Sequence, residues 1–384
     1  MLKVLLVYYE PRPSGQTTHV LSLIKGLDRN RYQLIVALPA QLHPSLEGLN
    51  QMDVQVVPLP MRKLLWSPSA IVQLARLIRQ EAVDLVHIHS QEAGVMGRLV
   101  AWAAGARSIL YTPQVVDIRQ RHWHRLYRGL EWILARLTRV IVSVNQADRD
   151  RLLRWGIPAS KVVTIPNGID LAPFDNPVDP LNVRQRLGLD GSKPLVMQVG
   201  RLSEQKDPLT FVEGAAHVVQ ALPQTQFVLI GEGPLEAAVA ARIRALGLEA
   251  QVRLAGWQAE AHRLMAAADI VSLTSRWEGM PFVLLEAMAC SKPVVATAVN
   301  GCPEIVEAGL TGFLAPPNDP QIWANRVVDL LRDPKKASQM GQAGRRRVEE
   351  RFTVQRMLSE IDKLYVSCSN QLSNHEDTWS EEKK

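Results

Sequence analysis

Two glutamates in the second half of the chain, Glu278 and Glu286, have the type and spacing to hold a polar ligand between them. Strand-length apolar runs flank the segment 275–289, so this segment is predicted to contain a loop and a helix. Pro281 suits the first position of that helix, because its missing N–H is not needed there. Glu278 then lies in the loop before the helix, and Glu286 lies about one turn inside it.

The start of this helix is a candidate anion site. The first N–H groups of a helix have no intrahelical partner, and they point outward. The outward N–H groups predicted here belong to Gly279, Met280 and Phe282. Carboxylates on either side accept hydrogen bonds from hydroxyls, so a sugar nucleotide, with its diphosphate between two hydroxyl-rich groups, has a matching shape. The simpler interpretation is an ordinary helix start with solvated glutamates.

A glycine and two cations follow a predicted strand near the start of the second half. Gly200, Arg201 and Lys206 lie in a turn that leads into a helix, and Gly15 lies in the corresponding turn of the first half. Glycine lets the backbone approach a phosphate closely, and two cations can neutralise a leaving diphosphate in place of a metal ion. Taken singly, each is more often a turn residue or a solvated charge.

The elements that must position these residues alternate between strand and helix along the chain. Predicted strands occupy 3–8, 32–38, 54–57, 83–88, 108–111, 140–144, 162–165, 195–199, 227–230, 252–254, 270–273 and 294–297. This alternation predicts an α/β fold with two Rossmann-like, doubly wound domains. Ligands of such sheets bind at the carboxyl ends of the strands, so both turns are expected at a common central cleft.

Domain boundaries are predicted where the alternation breaks. The N-terminal domain is predicted at 1–170, a Pro-, Asn- and Asp-rich linker at 171–193, and the second domain at 194–351. A helix at 352–368 closes the fold. The polar and charged segment 369–384 is expected to be disordered.

Composition fits a globular protein of two domains. The 384 residues are 47% hydrophobic and 21% charged, enough for a core in each half. The three cysteines, Cys290, Cys302 and Cys368, are widely spaced without a metal-ligand pattern, which indicates a reducing compartment and no structural metal. The apolar N-terminal run is too short for a signal peptide, and no uncharged run approaches a membrane span. We therefore expect a cytoplasmic protein.

The positive charge of the chain lies in its first half. The net charge is +6, yet residues 1–170 hold 21 Lys and Arg against 12 Asp and Glu. The segment 119–139 has six arginines, including Arg119, Arg121, Arg125 and Arg128, and could lie on an anionic membrane surface. The alternative is a core helix with solvated arginines. Its inward side would carry Trp123, Leu126, Leu130, Leu134 and Leu137. No motif typical of nucleic-acid binding accompanies the charge.

Five motifs, in this order, resemble those of the retaining GT-B glycosyltransferases of glycosyltransferase family 4. They are Pro-Asn-Gly-Ile-Asp at 166–170, Gly-Arg-Leu-x3-Lys-Asp at 200–207, Gly-Glu-Gly-Pro at 231–234, Glu-Gly-Met-Pro-x4-Glu-Ala-Met-Ala at 278–289 and Asn-Gly-x2-Glu-Ile-Val at 300–306. The resemblance covers roughly residues 1–366. Their combination along two Rossmann-like halves makes a chance match of the two glutamates rare.

The resemblance implies a role for each matching residue. Glu278 would hold the hydroxyls of the donor sugar and Glu286 those of the ribose, while Arg201 and Lys206 would grip the diphosphate. The residues placed beside the donor are Gly15, Gln114, Gly200, Trp257, Gly279, Met280, Pro281 and Phe282. Asn167 and Gly168 would mark the interdomain hinge. The last helix would cross back to the first domain, and neither metal nor cofactor is expected.

Two positions depart from the family pattern. Ser14 stands where many relatives have glycine, but a serine can still donate to a phosphate. Gln114 stands where many relatives have a histidine credited with contacting the donor sugar. A glutamine cannot shuttle a proton near neutral pH. Because the leaving phosphate is thought to take the acceptor's proton in this family, Gln114 suggests an altered donor or acceptor preference.

Other polar residues are interpreted as structural or solvated. Asp148 and Asp150 form an Asp-x-Asp pattern on a predicted helix far from the phosphate site, and we expect them to be solvated. His19, His87 and His89 lie near strand ends or in the first helix, and we expect them to be structural.

The expected function is metal-independent, retaining transfer of a hexose-type sugar from a nucleoside diphosphate, with UDP favoured, to an acceptor hydroxyl. A phosphate-bearing or lipid-linked saccharide acceptor fits the basic first half, which suggests cell-envelope polysaccharide or glycolipid synthesis at the inner face of the membrane. Two alternatives remain: a sugar-nucleotide-binding GT-B protein without transferase activity, and a GT-B sugar-nucleotide epimerase.

Overall fold

The structure is a computed structural model that describes residues 1–10, 14–40, 48–49, 51–61, 67–116, 124–175 and 178–381. The chain forms two compact units. Unit 1 consists of Met1–Gly168 and Val354–Lys384, and unit 2 consists of Ile169–Thr353. Each unit is built on one parallel sheet with helices between the strands. The predicted α/β fold with two Rossmann-like halves is confirmed.

Unit 1 contains a seven-stranded sheet in the order β3-β2-β1-β4-β5-β6-β7. The strands are β1 (Leu2–Tyr8), β2 (Tyr32–Pro39), β3 (Gln55–Leu59), β4 (Leu85–His89), β5 (Ser108–Thr112), β6 (Val140–Ser143) and β7 (Val162–Thr164). The inner strands are nearly continuous apolar runs, because helices cover both of their faces.

Within the described ranges of unit 1, six helices cover this sheet. They are α1 (Gly15–Gly26), α2 (Pro68–Gln80), α3 (Gln91–Ala103), α4 (His124–Leu137), α5 (Gln146–Arg154) and, from the end of the chain, α14 (Val354–Glu381). Buried side chains of α1 and α14 share one core cluster, and those of α2, α3, α4 and α5 share another. The two clusters lie on opposite faces of β1, whose residues alternate between them.

Unit 2 contains a six-stranded sheet in the order β10-β9-β8-β11-β12-β13. The strands are β8 (Leu195–Val199), β9 (Gln226–Ile230), β10 (Val252–Leu254), β11 (Ile270–Leu273), β12 (Val294–Thr297) and β13 (Gly312–Ala315). The helices are α6 (Pro180–Arg186), α7 (Pro208–Ala221), α8 (Glu236–Ala245), α9 (Ala261–Leu264), α10 (Phe282–Ala289), α11 (Cys302–Ile305), α12 (Pro320–Arg332) and α13 (Pro334–Arg351).

Apart from small shifts of element bounds, the structure differs from the predicted elements in three respects. The predicted linker 171–193 belongs to unit 2 and contains α6, whose Arg184 donates to the carbonyl oxygen of Ala267 at 2.9 Å. Strand β13 was not predicted. Helix α14 continues to Glu381, whereas the sequence predicts no ordered structure from 369.

The chain passes between the units at two adjacent points. It leaves unit 1 after Gly168 and returns to unit 1 at Val354. On the unit 2 side, Ile169 forms a parallel bridge with Thr353, and its N–H donates to the carbonyl oxygen of Phe352 at 2.9 Å. The predicted hinge residues Asn167 and Gly168 therefore immediately precede one of these points, and their hinge role stays a prediction.

Candidate active site

The strand order of unit 2 defines where its loops meet. Strands β9 and β10 lie on one side of β8, whereas the next strand in the chain, β11, lies on the other side. Open parallel sheets bind ligands at the carboxyl ends of the strands, where the order reverses in this way. The loop 200–207 follows β8 and the loop 274–281 follows β11. The predicted cations and the predicted loop glutamate therefore come from adjacent strands.

Glu278 is held by two side chains through one of its oxygens. The Lys206 Nζ atom lies 2.5 Å from Glu278 Oε1, and Ser275 Oγ donates to the same oxygen at 2.6 Å. The glutamate is only 4% exposed. Within the described part of the chain, Glu278 Oε2 has no assigned partner. The fold thus joins residues 72 positions apart in sequence and leaves one carboxylate oxygen for a ligand hydroxyl.

Further polar residues, which the sequence analysis did not include in the site, connect the loops 200–207 and 274–281 through hydrogen bonds. The buried Asp207 carboxylate accepts a hydrogen bond from Arg276 Nε at 3.0 Å. Thr274 Oγ1 lies 2.8 Å from the Asp207 carbonyl oxygen and 3.0 Å from Gln198 Oε1. The Arg276 N–H also donates to the carbonyl oxygen of Gln205 at 2.9 Å. The one sequence signal for this network was the Lys-Asp pair at 206–207.

Helix α10 begins one residue later than predicted. Pro281 is its N-cap, in an extended conformation, and Phe282 is the first helical residue, so the placement of Pro281 at the first helical position was wrong. No side chain caps this helix, because proline has no capping group. The start of α10 is therefore suited to receive an anion. The amide roles of Gly279 and Met280 stay predictions.

Glu286 lies in the second turn of α10 and is partly buried. Burial raises the pKa of its carboxyl to about 7, and the charge of Lys206 opposes part of this rise. Lys206 therefore acts electrostatically on both predicted glutamates. The ionisation of Glu286 is expected to change near neutral pH.

Arg201 and Trp257 remain exposed beside closely packed turns. Gly231 has φ +134°, and a Cβ atom there would lie 2.2 Å from the carbonyl oxygen of Gly200. The close approach of Gly231 to the Gly200 carbonyl holds the loops after β8 and β9 side by side. Trp257 is 57% exposed, and its N–H donates to Glu232 Oε1 at 3.3 Å. Among the described residues Arg201 has no ion-pair partner, so its guanidinium can bind an anion.

In unit 1, Ser14 and Gly15 form the start of α1. Ser14 is the N-cap, and its side chain and that of Thr17 form a reciprocal capping box. Gly15 is the first helical residue and is exposed. The preceding residues 11–13 lie outside the described residues. The donor-binding role of Gly15 stays a prediction.

Gln114 follows β5 and is 5% exposed, with φ +66°. A residue other than glycine in this region is uncommon, and such conformations cluster at functional sites. Its Nε2 atom is buried, and no hydrogen-bond acceptor for it is found in the described part of the chain. Its donor-binding role also stays a prediction.

The three histidines form a buried cluster in unit 1. The ring centroids of His87 and His89 lie 4.1 Å apart, and those of His19 and His89 lie 5.4 Å apart. Burial lowers the pKa of all three, to about 4 for His19. His19 Nδ1 lies 2.9 Å from Asn167 Oδ1, and His87 Nδ1 lies 2.7 Å from Tyr365 Oη. These contacts connect α1 to the predicted hinge segment and β4 to α14.

Asp148 is buried rather than solvated, so that part of the prediction was wrong. Its carboxylate accepts hydrogen bonds from the Val116 N–H at 3.1 Å and from Asn145 Nδ2 at 3.0 Å. Asn145 caps α5, and Asp148 lies in the first turn of that helix. The carboxylate is therefore used to fix a loop, whereas Asp150 remains largely exposed.

The inward side of α4 also differs from the predicted one. Leu126 is 62% exposed and Glu131 is buried, whereas Leu134 is buried as predicted. Arg119, Arg121 and Trp123 lie outside the described residues, as does the side chain of Arg125. In the described ranges no three His, Cys, Asp or Glu side chains are grouped to hold a metal ion, and no helix is long and apolar enough to cross a membrane.

Comparison with known sequences gives two family matches and several relatives. The family described as "Glycosyl transferases group 1" matches residues 181–347, and "Glycosyltransferase Family 4" matches residues 13–173. An Escherichia coli UDP-Gal:alpha-D-GlcNAc-diphosphoundecaprenol alpha-1,3-galactosyltransferase is 28% identical over 77% of this chain and 79% of its own length. The alpha-maltose-1-phosphate synthase of Mycolicibacterium smegmatis is 30% identical over 75% of this chain and 80% of its own length.

A solved structure matches the fold over nearly the whole chain. The crystal structure of Anabaena HepE in complex with UDP-glucose has a TM-score of 0.83 and 26% sequence identity, and the match covers 96% of this chain and all of that one. The same protein has also been crystallised with UDP and glucose, again with a TM-score of 0.83.

Proposed function

Because the chain belongs to the GT-B glycosyltransferases of the family 4 type, we propose that it moves a hexose-type sugar from a UDP-linked donor to an acceptor hydroxyl with retention at the anomeric carbon. The observation that carries this proposal is the arrangement around Glu278. One oxygen of its carboxylate is held by Lys206 and Ser275, and the other has no assigned partner among the described residues.

In this proposal the donor lies across the loops after β8 and β11. Glu278 Oε2 accepts a hydrogen bond from a hydroxyl of the transferred sugar, and the Glu286 carboxylate accepts hydrogen bonds from the ribose hydroxyls. Arg201 and Lys206 stabilise the diphosphate, which gains negative charge as the sugar leaves. The uncapped start of α10 lies between the two glutamates in sequence and adds its helix dipole. The exposed Trp257 would lie beside the nucleotide base.

Lys206 has two roles in this scheme. Its ammonium contacts Glu278 Oε1 directly in the structure. A bound diphosphate would share the ammonium, because its three donors can serve a carboxylate and a phosphate together. The same charge would then couple the position of the sugar to that of the leaving group.

The chemical step is proposed to need no covalent protein intermediate. The bond between the anomeric carbon and the phosphate oxygen breaks, and the acceptor oxygen bonds to the same face of that carbon. The acceptor's proton passes to an oxygen of the leaving diphosphate. The protein contributes positioning and electrostatic stabilisation, with cations in place of a metal ion.

The acceptor is proposed to be a phosphate-bearing or lipid-linked saccharide held by unit 1, which carries the positive charge of the chain. Support comes from the name of the Escherichia coli relative, which specifies a sugar on diphosphoundecaprenol as acceptor. Synthesis of a cell-envelope polysaccharide or glycolipid would use such an acceptor.

The test is a panel of nucleoside diphosphate sugars incubated with the purified protein in a metal-free buffer. We expect one UDP-sugar to raise the melting temperature and to be hydrolysed slowly. Arg201→Ala and Glu278→Ala should each abolish turnover, whereas Arg332→Ala, at an exposed position of unit 2, should not. Binding without turnover, even with lipid-linked acceptors added, would favour a non-catalytic protein. Conversion of the donor to its epimer would favour an epimerase.

A further inference from the structure

Large apolar side chains are exposed on two neighbouring helices of unit 1. They are Leu99 (37% exposed) and Trp102 (60%) on α3, and Leu126 (62%), Trp132 (40%) and Ile133 (53%) on α4. Isolated exposed apolar residues are common, but a group of five on adjacent helices is typical of an interaction site. The same two helices bury other residues in the core, so this exposure is additional to their packing role.

A buried ion pair locks the two helices together. Arg98 of α3 donates from both terminal nitrogens to the Glu131 carboxylate of α4, at 2.6 and 2.7 Å. The guanidinium also lies 4.0 Å from the ring centroid of Tyr111. The pair is almost fully buried, so the relative position of α3 and α4 is fixed. The exposed residues Trp102 of α3 and Arg136 of α4 line a common hollow, so the outward sides of the two helices meet there.

The charge around this surface is positive. Helices α2, α3 and α4 contain only two acidic residues, Glu92 and Glu131, and Arg98 neutralises Glu131. Between α2 and β4, the Asp84 carboxylate lies 3.8 Å from the Arg107 guanidinium and offsets part of that charge. The exposed cations of these helices and of the turn after α3 are Arg76, Arg79, Arg107, Arg128 and Arg136. We call the exposed side of α3 and α4, together with these arginines, the basic face. The two tryptophans lie among the cations, and the Arg136 guanidinium stacks 3.4 Å above the Trp132 ring.

A hollow of about 370 Å³ lies at one end of the basic face. Four cations and a tryptophan are among its lining residues: Trp102, Arg107, Arg136, Arg139 and Lys161. The Lys161 ammonium donates to the carbonyl oxygens of Ala135 and Thr138, both at 2.8 Å, and so caps the end of α4. Burial, and then the charge of Arg139, lower the pKa of Lys161. An anion in this hollow would relieve the repulsion between like charges.

We propose that the basic face is the surface on which the protein lies against an anionic lipid bilayer. Trp102 and Trp132 would sit at headgroup level, Leu126 and Ile133 would enter the acyl boundary, and the hollow would receive a lipid phosphate. Large apolar side chains surrounded by arginines suit a bilayer surface, which offers an apolar interior beneath a layer of negative charge. This docking goes beyond sugar transfer, because it involves neither glutamate of the candidate active site and can be measured without a donor.

The test measures co-sedimentation of the full chain with sucrose-loaded vesicles. One set contains phosphatidylcholine with phosphatidylglycerol, and the other contains phosphatidylcholine alone. We expect binding to the anionic set only. Binding should weaken clearly when the salt concentration rises from about 0.1 M to 0.5 M, because the Debye length falls well below the size of the basic face.

Paired variants separate the electrostatic and apolar contributions. Arg128→Gln/Arg136→Gln should weaken binding roughly thirtyfold, since each cation near an anionic surface contributes about fivefold. Trp102→Ser/Ile133→Ser should weaken binding at both salt concentrations, because burial of apolar area is not screened. Arg346→Gln/Leu310→Ser removes one exposed arginine and one exposed leucine of unit 2 and is the matched control.

Three results would overturn the proposal. One is equal binding to neutral and anionic vesicles, and another is a loss in the control pair as large as in the test pairs. The third is self-association in analytical ultracentrifugation that Trp102→Ser/Ile133→Ser abolishes while no vesicles are bound, because the face would then meet a second copy of the chain. Melting temperatures close to that of the parent protein establish that the variants fold. Donor hydrolysis at the parent rate in these variants would show that the loss concerns membrane docking and leaves sugar transfer intact.

Discussion

At the residue scale, the candidate site depends on how Glu278 is oriented. Lys206 and Ser275 bond to the same oxygen, so the direction of the other oxygen is fixed before a ligand arrives. The Ser275 hydroxyl donates to Glu278 and contacts no ligand atom in this scheme, so Ser275 is a positioning residue. Such support allows a catalytic group to act without reorganisation.

Ser275→Ala is expected to lower kcat roughly tenfold to a hundredfold, because a hydrogen bond to a charged group contributes about 1.5–3 kcal/mol. KM for the donor should change less, since the diphosphate contacts remain. The measurement is steady-state turnover together with the melting temperature.

The matched control for this prediction is Ser272→Ala. Ser272 is also buried, and its Oγ accepts a hydrogen bond from Trp323 Nε1 at 2.8 Å. It should lose stability and keep its turnover number. An equal fall of kcat in both variants would show that Ser275 acts only through stability.

Glu286 gives a pH-dependent stability prediction. Its pKa is about 7 in the native state against an ordinary value of 4.5, so between these values the native state binds more protons than the unfolded state. The free energy of unfolding then falls as pH rises from about 4.5 to 7, by up to roughly 3 kcal/mol at 1.36 kcal/mol per unit. Glu286→Gln removes this titration. The variant should therefore match the parent protein near pH 5 and become the more stable of the two near pH 8.

Thermal unfolding of both proteins at these pH values measures the effect. Glu249→Gln, at an exposed position of the same unit, is the control and should show no such divergence. A constant difference between Glu286→Gln and the parent protein across the range would contradict a raised pKa.

At the scale of elements, the loops after β8 and β9 depend on a close backbone approach. Gly231 has φ +134° and leaves no room for a side chain beside Gly200. A Cβ atom at position 231 would therefore lower the free energy of unfolding in two ways, through the unfavourable positive φ and through the clash with Gly200.

Gly231→Ala is expected to destabilise unit 2 by more than about 2 kcal/mol and to weaken donor binding, because the displaced loop carries Arg201.

Gly247→Ala is the control. Gly247 also has a positive φ, of +65°, but an added Cβ would meet no atom within 4 Å. Gly247→Ala should lower the free energy of unfolding by about 1 kcal/mol and retain the affinity for the donor. Urea unfolding and donor titration measure both effects, and equal losses in the two variants would remove the steric argument.

At the scale of the whole molecule, we propose that cations take the place that a metal ion has in many transferases. Arg201 is exposed without an ion-pair partner among the described residues, and Lys206 contacts Glu278. We therefore expect donor turnover to persist in excess EDTA and to change less than twofold on addition of Mg²⁺. Lys206→Ala should be inactive under both conditions. A turnover that EDTA abolishes and Mg²⁺ restores would refute this mechanism.

The sequence by itself determined the architecture of this protein. Apolar runs of strand length, separated by helix-length segments, predicted two parallel sheets, because strands buried on both faces must be continuously apolar. The motifs around Lys206, Glu278 and Glu286 predicted which loops bind a ligand, and that role stays a prediction. These signals are local, so they can be read along the chain.

Only the tertiary structure decided the contacts between distant residues. The strand order placed Lys206 against Glu278 and Arg276 against Asp207, and no local pattern specifies which loops become neighbours. Burial of Asp148 and exposure of Leu126 were mispredicted for the same reason, since each depends on what packs against the helix. Strand β13 begins with a glycine and has only two large apolar side chains, Phe313 and Leu314, so its apolar signal was weak. Its Gly312 fits because a Cβ atom there would lie 2.4 Å from the carbonyl oxygen of Val294 on the neighbouring strand.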